Sequence, residues 1–329
     1  MIASGFVASR LGHKHTILLS MVGISLSLAF LSQTTNILYF RLALFLIGLS
    51  AGIYLPSAIA TISTLFKPHL WGRAFSVHEL APNLAFLATP LYVALLLPQF
   101  SLQHIVQLPA VCILAAALLY AWTGANTRTK VNKPDLKLYC SLLWRRDFQI
   151  MVLLFSMGIT STLGIFSILP TYLISARGFS EHQANILIGA SRIPPVGAAL
   201  AGGFLADYIG HRRAIGLVLF CSGIMTILLG RGGELLIPAV WLQPVFAVCF
   251  FPAGFAMLSH IGSPETRNFI VSLTIPLSFV IGGGVIPAVI TAMADHGLVA
   301  EAIILVGCLL AIGSFLTIFI NRKTEGDRS

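Results

Sequence analysis

An all-α polytopic membrane fold is what this sequence predicts, and three features predict it: 57% hydrophobic residues against 9% charged, eight long charge-free stretches, and a one-sided distribution of Lys and Arg. With so little charge, 329 residues cannot cover a water-facing surface. High apolar content, non-periodic Gly and Pro, and five scattered Cys also set aside disorder and collagen-like or disulfide-stapled architectures.

A bilayer core takes about 20 apolar residues per helix. Residues 15–40 and 42–66 lack Asp, Glu, Lys and Arg and predict spans over 16–34 and 38–62. The stretch 80–127 holds two spans, 75–97 and 105–123, parted at Pro98-Gln99-Phe100-Ser101. Residues 148–176 predict a span over 149–174. Segment 182–206, interrupted only by Arg192, has the Gly and Ala content of a packed membrane helix and predicts 183–205. Four further gaps, 214–230, 235–264, 268–294 and 302–321, predict spans over 214–231, 236–260, 269–292 and 301–320. In the last, Ile303 to Ile320 reads as apolar all round with Gly307 and Gly313 its only breaks, and it is expected to face lipid.

Sorting the basic residues over alternating loops puts 16 of 20 on one side: Arg10, Lys14, Lys67, Arg73, Arg128, Lys130, Lys133, Lys137, Arg145, Arg146, Arg212, Arg213, Arg267, Arg322, Lys323 and Arg328. That side is expected to be cytoplasmic, which puts the C-terminus there too. The net charge of +9 abuts helices throughout, so topology accounts for it better than a nucleic-acid partner does. The five Cys lack CxxC or metal-ligand spacing, and neither a metal nor a cofactor is implied. No HExxH motif, Walker loop or carboxylate pair within one span points to an enzyme.

An internal repeat organises the chain. GFVASRLGHKH at 5–15 and GFLADYIGHRR at 203–213 share five of eleven residues at an offset of 198, and Pro90 and Pro287 stand in a weaker echo at 197. The longer signature, Gly203, Asp207, Gly210, Arg212 and Arg213, resembles the loop between the second and third helix of each half in the major facilitator superfamily. Further resemblances are Arg41 with Gly48, Gly52 and Pro56, the segment PTYLISARGFSEHQA at 170–184, and the central basic loop 125–147. The resemblance implies two six-helix bundles. On that numbering the ten spans are helices three to twelve, so the chain looks N-terminally truncated. Its expected parts are an incomplete bundle over 1–124, a central cytoplasmic loop 125–147, a six-helix bundle over 148–321 and a tail 322–329.

The resemblance also implies a role for the loop, as a latch that breaks and reforms during alternating access. In the second copy Asp207 can meet a helix N-terminus near Arg73 to Ser76. In the first copy, Gly5, Ser9, Arg10, Gly12 and Lys14, a Ser replaces the Asp, so no ion pair forms there, although Arg10 and Lys14 can approach Glu265. Arg192 is expected mid-membrane, about 15 residues or 22 Å from Asp207. Two readings stay open for it: an anion-binding group facing an aqueous path, or a structural Arg satisfied by carbonyls or a hidden acid. Ser156, Thr160, Gly164, Ser167 and Thr171 share one helix face and line either a pathway or a helix seam. Asn83 and Gln243 are further polar candidates. Glu79 is the sole acid placed for proton coupling, and Arg41 suits either a charge relay or headgroup anchoring.

These features point to a secondary transporter of a small solute in the cell membrane, bacterial inner membrane by expectation, monomeric, with a coupling proton or ion. Arg192 tilts the substrate toward an organic anion. A multidrug or cation exporter is the rival within transport, weakened because LAFLATPLYVAL around Pro90 lacks the flanking glycines of the drug:proton antiporter signature. A non-transporting degenerate membrane protein is the rival outside it.

Overall fold

The computed structural model describes residue 1 and residues 3–126, 136–261 and 263–320, without the side chains of 136–139. Arg128, Lys130, Lys133, Arg322, Lys323 and Arg328, and the Lys137 side chain, which the charge count placed on the basic side, lie outside the described residues.

Ten helices long and apolar enough to cross a membrane are present among those residues, in the predicted order: α1 Ser4–Gln33, α2 Ile37–Leu65, α3 Pro68–Leu96, α4 Leu102–Thr123, α5 Arg146–Ala176, α6 Glu181–Ile209, α7 His211–Arg231, α8 Gly233–Ile261, α9 Arg267–Asp295 and α10 Val299–Phe319. A short extra helix, Leu136–Leu143, occupies part of the expected central loop.

The repeat is visible in the backbone. Gly12 has φ +76° and ψ 165°, and Gly210 has φ +89° and ψ 140°; each turns the chain between two helices within one residue. Only glycine adopts that conformation without strain. The expected loop over 5–15 is corrected accordingly: residues 4–11 are helical, and the reversal is confined to Gly12. The charges that suggested a longer loop sit on helix ends instead.

Packing divides the chain into two units. One comprises Met1–Leu65, Ala88–Leu142 and Gly262–Leu273; the other comprises Phe66–Leu87, Leu143–Ile261 and Thr274–Ser329. Helices α3 and α9 therefore each contribute one end to each unit. Within the first unit α1 lies close on α2, where a Cβ on Gly23 would stand 2.5 Å from Ser50 Oγ, and Ser25 donates to the Ala110 carbonyl of α4 at 2.7 Å. Within the second, α7 and α10 meet through Gly223 and Gly307, whose added Cβ atoms would stand 2.6 Å from the Ala311 and Ile227 amide nitrogens respectively. Small residues permit such approach where no hydrophobic force drives helices together. Helix α10 is thus corrected from wholly lipid-facing: Ile303 and Leu310 are buried against its neighbours, and only the face carrying Leu305 and Ile312 is open. An apolar sequence cannot distinguish lipid from another helix.

Helix α5 carries two wider π-type turns, Thr160–Gly164 and Tyr172–Ala176, and α9 carries one at Val280–Val285. The first and last meet in the second unit, where Thr160 donates to the Gly282 carbonyl at 3.3 Å. At the far end of α5, Arg177 stacks over the Tyr172 ring and donates through Nε to its hydroxyl at 2.6 Å and through Nη2 to the Gly230 carbonyl at 2.5 Å, tying α5 to α7.

Candidate functional site

The second-copy signature is assembled by the last turn of α6 and the first turn of α3, both in the second unit. A helix start leaves backbone N–H groups without partners, and a carboxylate satisfies them well. Asp207 accepts from the Gly72 N–H at 2.8 Å and the Arg73 N–H at 3.0 Å. Arg73 Nε lies 3.4 Å from the same carboxylate, whose side chain is only 2% exposed, and the Arg73 guanidinium covers the Phe204 ring. The approach requires glycine on both sides: a Cβ on Gly72 would meet Asp207 Oδ1 at 2.5 Å, and one on Gly203 would overlap the Gly72 carbonyl. His211, one residue after the Gly210 turn, brings Nε2 to 3.4 Å from Asp207 and its ring to 5.3 Å from His260, which stacks on Trp71 at 4.7 Å. Arg212 donates to the Ile318 carbonyl at the end of α10 at 2.8 Å, while Arg213 is exposed.

The first copy lies in the other unit and is built differently. Gly5 abuts Phe269 at the start of α9, as Gly203 abuts the residues after Trp71, and 269 and 71 differ by the same 198. Ser9 donates to its own helix at Phe6, and Arg10 is exposed; Gly12 supplies the turn and Lys14 is half-buried beyond it. Asn268, 1% exposed, reaches from α9 to Ser4 Oγ at 3.4 Å and Ser57 Oγ at 3.2 Å, and Arg267 approaches Ser63. A neutral amide and an Arg on the receiving helix thus stand against the hydroxyls of Ser4, Ser57 and Ser63. Residue 70, which occupies the equivalent place in the other half, is Leu, so the repeat offered no signal for Asn268.

Arg192 occupies the point where α6 breaks, between Glu181–Ala190 and Ile193–Ile209, just before Pro194 and Pro195. Its guanidinium lies 3.9 Å from the Phe166 ring centroid of α5 and 5.8 Å from that of Phe86 in α3. Its Nε is buried and has no hydrogen-bond partner, and no carboxylate is paired with it among the described residues.

The other polar candidates separate into distinct places. Ser156 and Thr160 are buried on the α5 face that meets α9, while Ser167, beside Phe166, is exposed and donates to Gly164. Gln243 is buried and donates to the Ser161 carbonyl at 2.8 Å and to Ser161 Oγ, which itself meets Ser222, so it joins α8, α5 and α7. Glu79 is buried with His78 Nδ1 at 3.2 Å, and Asn83 donates to its backbone carbonyl one turn on. Arg41 is exposed on α2 in the first unit. The segment Gly48-Leu49-Ser50-Ala51-Gly52 has the spacing of a hydrolase nucleophile elbow, but it lies within helix α2, against Gly23, rather than on the strand-to-helix turn that motif requires.

The profile of the Major Facilitator Superfamily matches residues 1–180 and, a second time, 150–329. This chain belongs to the major facilitator superfamily. Multidrug resistance protein MdtG of Serratia proteamaculans is 24% identical over 262 residues, 72% of this chain and 63% of that protein. An uncharacterized MFS-type transporter of Mycobacterium tuberculosis is 25% identical over 243 residues, 70% of this chain and 52% of its own length. The chain thus spans under two thirds of these relatives. Among solved structures, the E. coli fucose:proton symporter FucP superposes with TM-score 0.80 at 16% identity, covering 98% of this chain and 87% of that one. The human organic anion transporter MFSD10 superposes with TM-score 0.76 at 16% identity, covering 96% and 79%. The common fold is that of a major facilitator.

Proposed function

We propose that this major facilitator moves a small organic anion by alternating access, with bundles over 1–124 and 148–321 joined by the central loop 125–147. The observation that carries this reading is Arg192: a guanidinium at a helix break in mid-span, resting on an aromatic ring, with a buried Nε that has no partner. Holding a charge there is costly unless it meets a partner for part of the cycle, and a substrate anion is such a partner. In cells expressing the protein, Arg192→Ala is expected to lower initial uptake of organic anions at least tenfold at unchanged membrane abundance, and Arg192→Lys to restore part of it. Undiminished uptake in the Ala variant would remove Arg192 from the site.

A second reading, export of cations or drugs coupled to a proton, draws support from the MdtG relatives and from buried Glu79 beside His78. It requires that Glu79→Gln abolish pH-driven efflux of a cationic dye, and that Arg192→Ala leave it intact. In either reading the protein is a monomeric carrier rather than an enzyme, set in a bacterial inner membrane with the Asp207 latch and the C-terminus cytoplasmic. Cys140 is exposed on the short helix Leu136–Leu143 of the basic loop. A membrane-impermeant maleimide is expected to label it in inside-out vesicles and to spare it in intact cells.

A further inference from the structure

We infer that the Arg192 site selects planar aromatic monocarboxylates over dianions and over aliphatic acids, a reading that rests on anion transport through Arg192 and narrows it. The first observation is the count of charge. Among the described residues, the other Arg side chains on or just after α3 and α5 in the same unit are placed elsewhere: Arg177 is engaged by the Tyr172 hydroxyl and the Gly230 carbonyl, Arg73 by Asp207, and Arg146, at the opposite end of α5 from Arg177, lies over the Phe319 ring. One guanidinium remains to neutralise the ligand. A dianion would bring a second charge out of water with nothing to pair it, a penalty that one Arg does not offset.

The second observation is the geometry of that guanidinium. Phe166 covers one face at 3.9 Å, which leaves the in-plane N–H edges as the donors, and Nε among them has no partner. In-plane donors favour a planar, bidentate acceptor, which a carboxylate presents. The third observation concerns what would lie next to the carboxylate's substituent. Phe86 and Phe166 stand edge to face, with centroids 5.7 Å apart and planes at 71°, and both rings are partly open. An aryl group coplanar with its carboxylate continues the guanidinium plane beside these rings and gains edge or offset stacking. A flexible alkyl chain gains less and loses rotamer freedom.

The experiment is ligand binding to the purified protein in detergent, which does not depend on turnover, using benzoate, hexanoate, phthalate, phenyl phosphate and benzylammonium as probes. Benzoate is expected to bind at least tenfold more tightly than phthalate or phenyl phosphate and several-fold more tightly than hexanoate. Phe166→Leu should erase the preference for benzoate over hexanoate, and Arg192→Ala should abolish binding of both. Equal affinity for hexanoate and benzoate, or tighter binding of the dianions, overturns the aromatic monocarboxylate assignment and leaves organic-anion transport standing. Binding of benzylammonium alone overturns both. Circular dichroism and gel filtration of each variant confirm that it is folded before its affinity is compared.

Discussion

Asp207→Ala is expected to reduce transport by more than tenfold while the protein still inserts in the membrane. The substitution strands the Gly72 and Arg73 amide donors at the start of α3 and removes the counter-charge of Arg73. A stranded buried donor such as the Gly72 N–H costs about 1–3 kcal/mol, and the exposed Arg73 N–H adds less. Since about 1.4 kcal/mol is a tenfold change in an equilibrium, losing the carboxylate would shift the balance between latched and open forms by about one to two decades. Asp207→Asn keeps one acceptor oxygen and the same shape, and is expected to fall between the Ala variant and the wild type. Initial uptake rates at matched membrane abundance measure the effect, and wild-type rates in the Ala variant would exclude the carboxylate from the cycle. The pseudo-equivalent Ser9→Ala exchange should be close to silent, because that hydroxyl bonds only to its own helix.

Gly282→Ala is the second change with a large expected effect. An added Cβ would overlap the Ser156 carbonyl oxygen and stand 3.0 Å from its carbon and 3.1 Å from the Thr160 nitrogen, all backbone atoms of α5. Backbone cannot swing aside as a side chain can, so the two helices must part and the Thr160 bond to Gly282 is lost. Overpacking of this kind costs about 1–3 kcal/mol, which should lower Tm in detergent by several degrees. Gly284→Ala, two residues on in the same wide turn, meets nothing nearer than the Phe279 carbonyl at 3.8 Å and serves as the control. It should leave Tm unchanged or slightly raised. A Gly282 variant as stable as the Gly284 variant would show that α5 and α9 are not in close contact.

What the sequence disclosed and what it withheld follow from the same solvent. In lipid every spanning segment must be helical and long enough, so charge gaps located nine of the ten spans and Gly and Ala content the tenth, whose break falls at Arg192, just before Pro194 and Pro195. Asp207 was legible because its duplicated setting, with glycines four residues before and three after it, needs a close helix crossing. Partner choice was not legible. Gln243 reads from sequence as a free polar group in an apolar span, yet its donor is taken by Ser161 in a seam of three helices. Ser156 and Thr160 share a face as their spacing required, but nothing local says that α9 covers it. Asn268 had no counterpart in the other half to betray it, and the wide turns of α5 and α9 leave no periodic trace. Hydropathy fixes how long a helix is; small residues and single hydrogen bonds decide which neighbour it touches, and neither has a repeating pattern.

The ring stack at the start of α3 has a practical consequence. Trp71 is 2% exposed, its indole N–H is held by the Phe66 carbonyl, and His260 lies against its face, with His211 and the Asp207 carboxylate next in line. Trp122 and Trp144, by contrast, are 92% and 83% exposed. The molecule therefore carries its own fluorophore at the crossing of α6 and α3: with the other three indoles, Trp122, Trp144 and Trp241, replaced, emission intensity and colour should report, in real time and without a dye, each parting and reunion of those helix ends.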